Sequence, residues 1–556
     1  MQRLTTKTTT LRTMRSRLPT SLRLPACAML LAWGAAPAWA QLAPVQVDPG
    51  ALQRQEEERR RYLEEQNRIK ERPVVVDAPA AAPAAPPAAG GARFVLNDVT
   101  FGPSTLLTAA ELQAVAARHI GKEVDFGGLA RLVDEVNALY RAHGIVTARA
   151  VIGPQKIAGG VVRVDLVEAR LERVDVQGAS YSSGEYVKNL FADQQGHTLD
   201  TAALETRVMR FNRGGDLRVE ASLKPGSATG TTDLILSLIE PPRYQARVFA
   251  NNEGPRSVGS AQVGVDGTFH GPFGVGDKLA AYVARTRGAT SGSLSYAVPV
   301  NRYGGRLTGT YSQGVTDVVA GPYRELDING RSKSLQAGFV QPVWRRGPWW
   351  FDAAATLGKT RSDNRIGALP LSHTDVVDQT LGATATGLWD GRSVNLSLSA
   401  THAREQALDK AARSFTITQL RGSWVEALDP KNFIVLRTLV QQTGATILTP
   451  SLLFQVGGVA TVRGYEVGAL SGDRGQVTNA EFHHALRDGV DASLFADVGT
   501  VRTTGQPNQS AHAVGAAVDF QLRGALQANV TAGRTLKKVL PDQGPWRLTA
   551  RVSYLF

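Results

Sequence analysis

Val462-Arg463-Gly464-Tyr465, followed downstream by Leu494-Phe495-Ala496-Asp497-Val498-Gly499, is the pair of segments around which the chain makes sense. The first lies in a Gly-rich stretch, Gly457 to Gly475, that reads as one long loop. The second reads as a strand. Side chains alternate along a strand, so Leu494, Ala496 and Val498 share one face and Phe495, Asp497 and Gly499 share the other. An acid on one face of an otherwise apolar strand needs water or a cation. Arg463 is the candidate, because a guanidinium binds a carboxylate through two parallel hydrogen bonds.

The sequence around these segments, from Arg243 to the end, lacks helical periodicity and alternates apolar with polar residues in runs of about ten. Val394, Leu396, Leu398 and Ala400 alternate with Asn395, Ser397 and Ser399. Val514, Ala516, Val518, Phe520 and Leu522 alternate with Gly515, Ala517, Asp519 and Gln521. Leu526, Ala528, Val530 and Ala532 form a third run, and Trp546, Leu548, Ala550, Val552, Tyr554 and Phe556 a fourth. Alternation alone fits a soluble sandwich as well as a barrel in lipid. The length of the region and the aromatics Trp546, Tyr554 and Phe556, suited to a membrane interface, favour the barrel. At roughly twenty residues per strand and connection, residues 243–556 make about 16 antiparallel strands.

The N-terminal part is organised differently. Residues 1–40 predict a secretory leader: basic residues through Arg23, an apolar run from Leu24 to Ala36, and the small-x-small site Ala38-Trp39-Ala40. A lipoprotein site at Cys27, the only cysteine, is rejected because no apolar run precedes it. Residues 49–72 predict a helix charged all round, capped by Asp48-Pro49, with Glu57–Arg61 and Glu64–Arg68 spaced four apart. Such a helix has no face to bury in an apolar core. Residues 73–92 are an Ala/Pro-rich linker ending in Gly90-Gly91. Residues 93–168 predict a β-α-α-β-β unit. A strand opens at Phe94-Val95-Leu96, and Thr108 and Glu111 form a capping box. A second helix starts at Asp125 and closes at His143-Gly144, before strands Val146–Ile152 and Val161–Val167. Residues 169–242 repeat that order up to Pro241-Pro242, an internal duplication.

Together these features resemble the TpsB outer-membrane transporters of two-partner secretion, the filamentous-haemagglutinin and haemolysin secretion family. The two repeats (93–168 and 169–242) resemble its POTRA domains, with Tyr140-x-x-x-Gly144 as a family-like helix end. Asn251-Asn252-Glu253-Gly254 stands where the family often has Asp-Asn-x-Gly, so Asn251 departs from that pattern. Gly271 to Leu279 and Ser295 to Pro299 resemble the next hairpin. The resemblance implies a 16-stranded transmembrane β-barrel (243–556) behind two α/β POTRA domains. It implies that the loop around 457–475 folds into the lumen, with Val462, Arg463, Gly464 and Tyr465 at its tip. Arg463 would meet the wall segment Phe495, Asp497 and Gly499. The charged helix of residues 41–72 would plug the barrel, and the final Phe556 would be the signal read by the barrel-assembly machinery. The implied location is the outer membrane of a Gram-negative bacterium, its lipids around the barrel and the POTRA domains in the periplasm. The implied function is export of one large unfolded partner exoprotein (adhesin, haemolysin or haem-binding type), captured by the POTRA repeats and crossing the lumen extended. An outer-membrane assembly insertase and a passive porin are the rival readings.

Other classes find little support. The formal net charge is +13; the six basic residues of the leader leave +7 on the rest, with no basic cluster interleaved with aromatics, so nucleic acid is not an expected partner. No Gly-x-Ser-x-Gly or His-Glu-x-x-His occurs, and no catalytic residue is expected. Gly358-Lys359-Thr360 imitates the end of a phosphate loop, but Ala353 occupies the first Gly position. His483 and His484 point to opposite faces of a strand, so no metal and no cofactor is expected there.

Overall fold

The computed structural model describes residues 48–70 and 93–556, apart from positions 146, 229, 408, 409 and 523. The expected leader (1–40), the linker (73–92) and the two ends of the plug segment lie outside the described residues.

The polar helix α1 spans Pro49–Lys70. Among its described side chains the ion pairs within the helix are three apart, Glu56–Arg59 and Glu58–Arg61, where Glu57–Arg61 was expected. The side chains of the expected Glu64–Arg68 pair lie outside those described.

The first small unit contains β1 (Phe94–Val95), β2 (Asp98–Phe101), α2 (Ala109–Ala116), β3 (Glu123–Val124), α3 (Phe126–Ala142), β4 (Ala148–Val151) and β5 (Val161–Glu168). Its sheet runs β2-β5-β4, with β2 parallel and β4 antiparallel to β5. The Thr108 side chain and Glu111 close a reciprocal capping box on α2, and Asp125 caps α3. Leu132, Val136 and Tyr140 of α3 bury against Val162 and Val164. The expected opening strand is displaced: Phe94-Val95 pairs only with Glu123-Val124, and Asp98–Phe101 is the strand in the main sheet. Leu96 turns inward to the core, which breaks the strand there.

The second unit repeats the plan with β6 (Arg170–Gln177), α4 (Gly184–Phe191), α5 (Thr201–Gly214), β7 (Arg218–Pro225) and β8 (Thr231–Ile239). Its sheet order β6-β8-β7 again puts the last strand in the centre. Leu171, Val174, Phe191, Leu204 and Leu236 form its core.

The remaining strands begin with β9 (Tyr244–Asn251), β10 (Gln262–His270), β11 (Lys278–Arg285), β12 (Ala289–Pro299) and β13 (Arg306–Asp317). Next come β14 (Ile328–Arg346), β15 (Trp349–Ile366), β16 (Leu369–Trp389), β17 (Arg392–Ala407), β18 (Arg413–Ala427) and β19 (Asn432–Thr443). Two short strands, β20 (Phe454–Val456) and β21 (Leu470–Gly472), interrupt the series. It ends with β22 (Arg474–Arg487), β23 (Val490–Arg502), β24 (Gln509–Leu522), β25 (Leu526–Thr535) and β26 (Trp546–Leu555). Without β20 and β21, these make a closed antiparallel barrel of sixteen strands in sequence order, sealed by β26 against β9. Tight hairpins suit one end; in the Asp390-Gly391 turn Gly391 takes φ +70°, which a glycine adopts without steric cost.

The barrel is apolar outside and polar inside. Leu381 is 69% exposed, Leu398 54% and Leu548 62%, all outward, while Ser332, Ser362, Gln441 and Asp497 face inward and are buried. A soluble sandwich would show the reverse, so this distribution belongs to a barrel in lipid. Among the described residues no helix is long and apolar enough to cross a membrane. Strand height is uneven: β14 to β16 have 18 to 21 residues, and β9 to β11 only eight or nine.

Candidate functional site

Between β19 and β22 the chain leaves the wall and turns into the lumen. The expected loop of Gly457 to Gly475 is thereby redrawn. It starts after Thr443, carries the hairpin β20–β21, and ends before Arg474, so Gly475 already belongs to the wall. Phe454, Val456, Val462, Tyr465 and Leu470 of the loop form one buried apolar cluster with Val477, Val501 and Ala513 of the wall. The wall admits them because it is bare at Gly475 and Gly499. A Cβ on Gly475 would lie 2.1 Å from the Phe454 ring, and one on Gly499 would lie 2.5 Å from Val456.

At the tip, the structure brings Arg463 and Asp497 together. Nε donates to Oδ2 at 2.8 Å, Nη2 to Oδ1 at 2.6 Å, and the Arg463 backbone N–H to Oδ2 at 2.9 Å. Asn479 Nδ2 donates to the same carboxylate at 2.8 Å. The third guanidinium nitrogen, Nη1, lies 3.1 Å from Glu481, which also takes Arg437 at 2.9 Å and His483 at 2.8 Å. The Phe495 ring lies under the guanidinium, 3.7 Å from its centroid. Arg463 is 6% exposed and Asp497 1%, so the charges answer each other rather than water. Gly464, at φ +88°, lays the tip flat on the wall. There the facing residue is Gly533, where a Cβ would stand 2.7 Å from the Gly464 nitrogen. Tyr465 is buried, its hydroxyl 2.6 Å from the Lys537 carbonyl and accepting the His512 N–H at 3.1 Å.

The described side chains of α1 meet inward-facing groups of the barrel. Asp48 caps Ala51 at 2.8 Å and accepts Asn364 at 2.7 Å. Gln53 donates to Ser312 at 2.7 Å, and Gln55 bonds Gln455 of the loop. Arg421 makes two bonds of 2.7 Å to Glu58. Arg59 bridges Glu56 of its own helix and Glu253 of the wall, the latter at 3.1 Å. A helix without an apolar face thus lies against polar walls.

The second small unit is fixed to the turn end of the barrel. Ser183 N–H donates to the Gly274 carbonyl at 2.7 Å. Asp277 folds that turn by accepting the Phe273 and Val275 amides and the Tyr296 hydroxyl. Asp216 faces His270 at 3.4 Å and Lys278 at 2.7 Å, and these hold its carboxyl well below the usual carboxylate range. Arg213 reaches Asp352 of β15 at 2.5 Å.

Asn479 and Glu481 were not singled out from sequence. They share the inward face of β22 with His483, and the argument applied to Asp497 would have found Glu481. Gly533 carried no such signal. His483 and His484 do diverge: the former bonds Glu481, the latter Asn432 at 2.8 Å. Phe556 closes the chain, 70% exposed, its ring 4.8 Å from that of Tyr554.

Comparison with known proteins agrees with this architecture. The model of the haemolysin secretion/activation protein family ShlB/FhaC/HecB matches residues 230–522, and that of the ShlB-type POTRA domain matches residues 94–169. The heme/hemopexin transporter protein HuxB of Haemophilus influenzae is 23% identical over 415 residues, covering 70% of this chain and 72% of that protein. The outer membrane transporter CdiB of Dickeya dadantii is 24% identical over 447 residues, 76% of each chain. The solved structure of CdiB from Escherichia coli superposes with a TM-score of 0.72 at 19% identity, over 91% of this chain and 98% of that one. The chain belongs to the ShlB/FhaC/HecB family: it is a TpsB-type translocator of the outer membrane, with periplasmic POTRA domains, that exports a partner exoprotein by two-partner secretion.

Proposed function

We propose that this translocator is held shut at rest by two lumen elements, α1 and the loop of β20–β21, and that export begins when α1 leaves. The observation that carries this is the pairing of α1 with the polar wall through Arg59–Glu253, Glu58–Arg421 and Asp48–Asn364. These contacts are polar throughout, whereas the loop adds an apolar cluster to its buried charge pair and stays in place. In this reading the leader (1–40) directs the chain to the periplasm, the plug segment 41–72 carries α1, and the linker 73–92 lets it withdraw. The POTRA repeats at 93–168 and 169–242 capture the partner, a large secreted protein of adhesin, haemolysin or haem-binding type. The barrel of 243–556 conducts it, with Val462, Arg463, Gly464 and Tyr465 locked on Phe495, Asp497 and Gly499. The role is transport, with no catalytic step and no cofactor. Phe556 and the aromatic last strand present the chain to the barrel-assembly machinery.

The test is single-channel conductance in a planar bilayer. Deleting residues 41–72 should raise it, while export of the partner largely survives. Unchanged conductance would remove α1 from the mechanism.

A further inference from the structure

The outer wall of the tall strands changes character along its height. At the end bearing the second small unit, Trp344 stacks on Phe351 with ring centroids 4.9 Å apart, and Trp349 meets Trp389 at 5.2 Å. The same end holds the Arg213–Asp352 contact, so these aromatics mark the periplasmic membrane surface. Above them the outward side chains are apolar as far as Leu357 and Leu381. Then the wall turns basic. Lys359 stands in register with Leu335 on one side and Val377 on the other, and Val377 faces Arg404. One step higher, Lys333 lies directly opposite Arg361.

The height of this change is set by strand geometry. From Trp349 to Lys359 is ten residues, which at ~3.3 Å each and a tilt of ~40° rises about 25 Å. That is the thickness of the apolar band of such barrels, so Lys359 and its neighbours stand at the outer headgroups. Lys333, Lys359 and Arg404 are exposed, and none of them makes an ion pair among the described residues. Acids are present on this face, but they are engaged. Asp375 binds Arg361 through two bonds of 2.8 and 2.9 Å, and Asp363 binds His373 at 2.5 Å. Asp375 thus already answers Arg361, and the cations of this face left without a carboxylate among the described residues are Lys333, Lys359 and Arg404.

We infer that Lys333, Lys359 and Arg404, with Arg361 oriented by Asp375, form a docking surface on the outer wall for the phosphates of outer-leaflet glycolipid, the lipid A of lipopolysaccharide. The charge complements a bis-phosphorylated headgroup. The apolar wall immediately below receives its acyl chains, so one molecule satisfies both halves of the surface. Neighbouring strands lie ~4.8 Å apart and alternate residues ~6.7 Å apart, which puts Lys333, Lys359 and Arg361 within reach of a single phosphate. The inference rests on the outer-membrane orientation and not on how the lumen opens.

The experiment uses the full chain in phosphatidylcholine nanodiscs and titrates in lipid A or the same lipid with its phosphates removed, scored by native mass spectrometry. The variants are K333A/K359A/R404A and, as a control of equal charge change, K122A/R141A/K156A on the first soluble unit. Heat-modifiable gel migration establishes that each barrel is folded. At roughly fivefold per basic residue near a lipid surface, the wall variant should bind lipid A about a hundredfold more weakly. The control should bind as the parent does, and the dephosphorylated lipid should bind both weakly and alike. Parent-like binding by the wall variant, equal loss in the control, or tight binding of the dephosphorylated lipid would each overturn the assignment. If the triple variant does not fold, K359A alone should still lose about fivefold, and no loss there would overturn it too.

Discussion

Consider Arg463→Ala. The change removes two charge-assisted bonds of 2.8 and 2.6 Å to Asp497 and the 3.1 Å contact to Glu481. Glu481 keeps Arg437 and His483, so the uncompensated charge is Asp497, left with the Arg463 N–H and Asn479. Breaking a buried pair costs about 3–5 kcal/mol. The two remaining bonds to Asp497 place the expected loss at the lower end, about 3 kcal/mol. Since 1.4 kcal/mol is tenfold, the equilibrium for the loop leaving the wall should shift about a hundredfold. Arg463→Lys should rescue little, because an ammonium makes one contact where the guanidinium makes several. Asp497→Ala should cost at least as much as Arg463→Ala, since it also frees the loop amide and Asn479. The double variant should be no worse than Asp497→Ala, giving a coupling of about 3 kcal/mol. The assay is hydrogen exchange of the amides of residues 457–468 in the inserted barrel, paralleled by exported partner per inserted barrel. Losses that simply add across the cycle would show that the two residues act independently, and the lock would have to be assigned elsewhere.

Two further expectations use other contacts. Gly533→Ala should mimic Arg463→Ala in both assays while leaving the charges intact, because its methyl group meets the Gly464 backbone, which cannot rotate aside; exchange at the tip identical to the parent would refute it. Deleting residues 93–168 should abolish export while the barrel still assembles, measured as secreted partner against heat-modifiable barrel, and normal export would reduce that unit to a spacer.

The wall was readable from the sequence because its information is local. The alternation of Val394, Leu396 and Leu398 with Asn395, Ser397 and Ser399 needs no knowledge of neighbouring strands, and the structure keeps those leucines outward. Thr108 with Glu111 and Asp125 were readable for the same reason, each cap being closed within three residues. Arg463 and Asp497 were singled out because an acid among apolar strand residues demands a partner. What stayed hidden depends on distant partners. A helix polar on every side gives no indication that Arg59 will meet Glu253 or Glu58 Arg421. Gly533 looks like any strand glycine until the loop tip lies against it. The Phe94 strand was misplaced because Leu96 buries in the core instead of continuing the pleat, a choice made by the helices that pack over it.

The proposed departure of α1 past a loop that stays sets a calibre. Withdrawing α1 vacates a cylinder about 10–12 Å across, the width of one helix with its side chains. A folded domain of 100 residues has a radius of gyration near 13 Å and cannot enter such a passage. An extended chain can, in single file. The exit therefore acts as a gauge: any stretch of the partner that folds early in the periplasm, or is closed by a disulfide into a wide loop, should stall at the mouth, and the order of residues along the partner becomes the order in which they reach the cell surface.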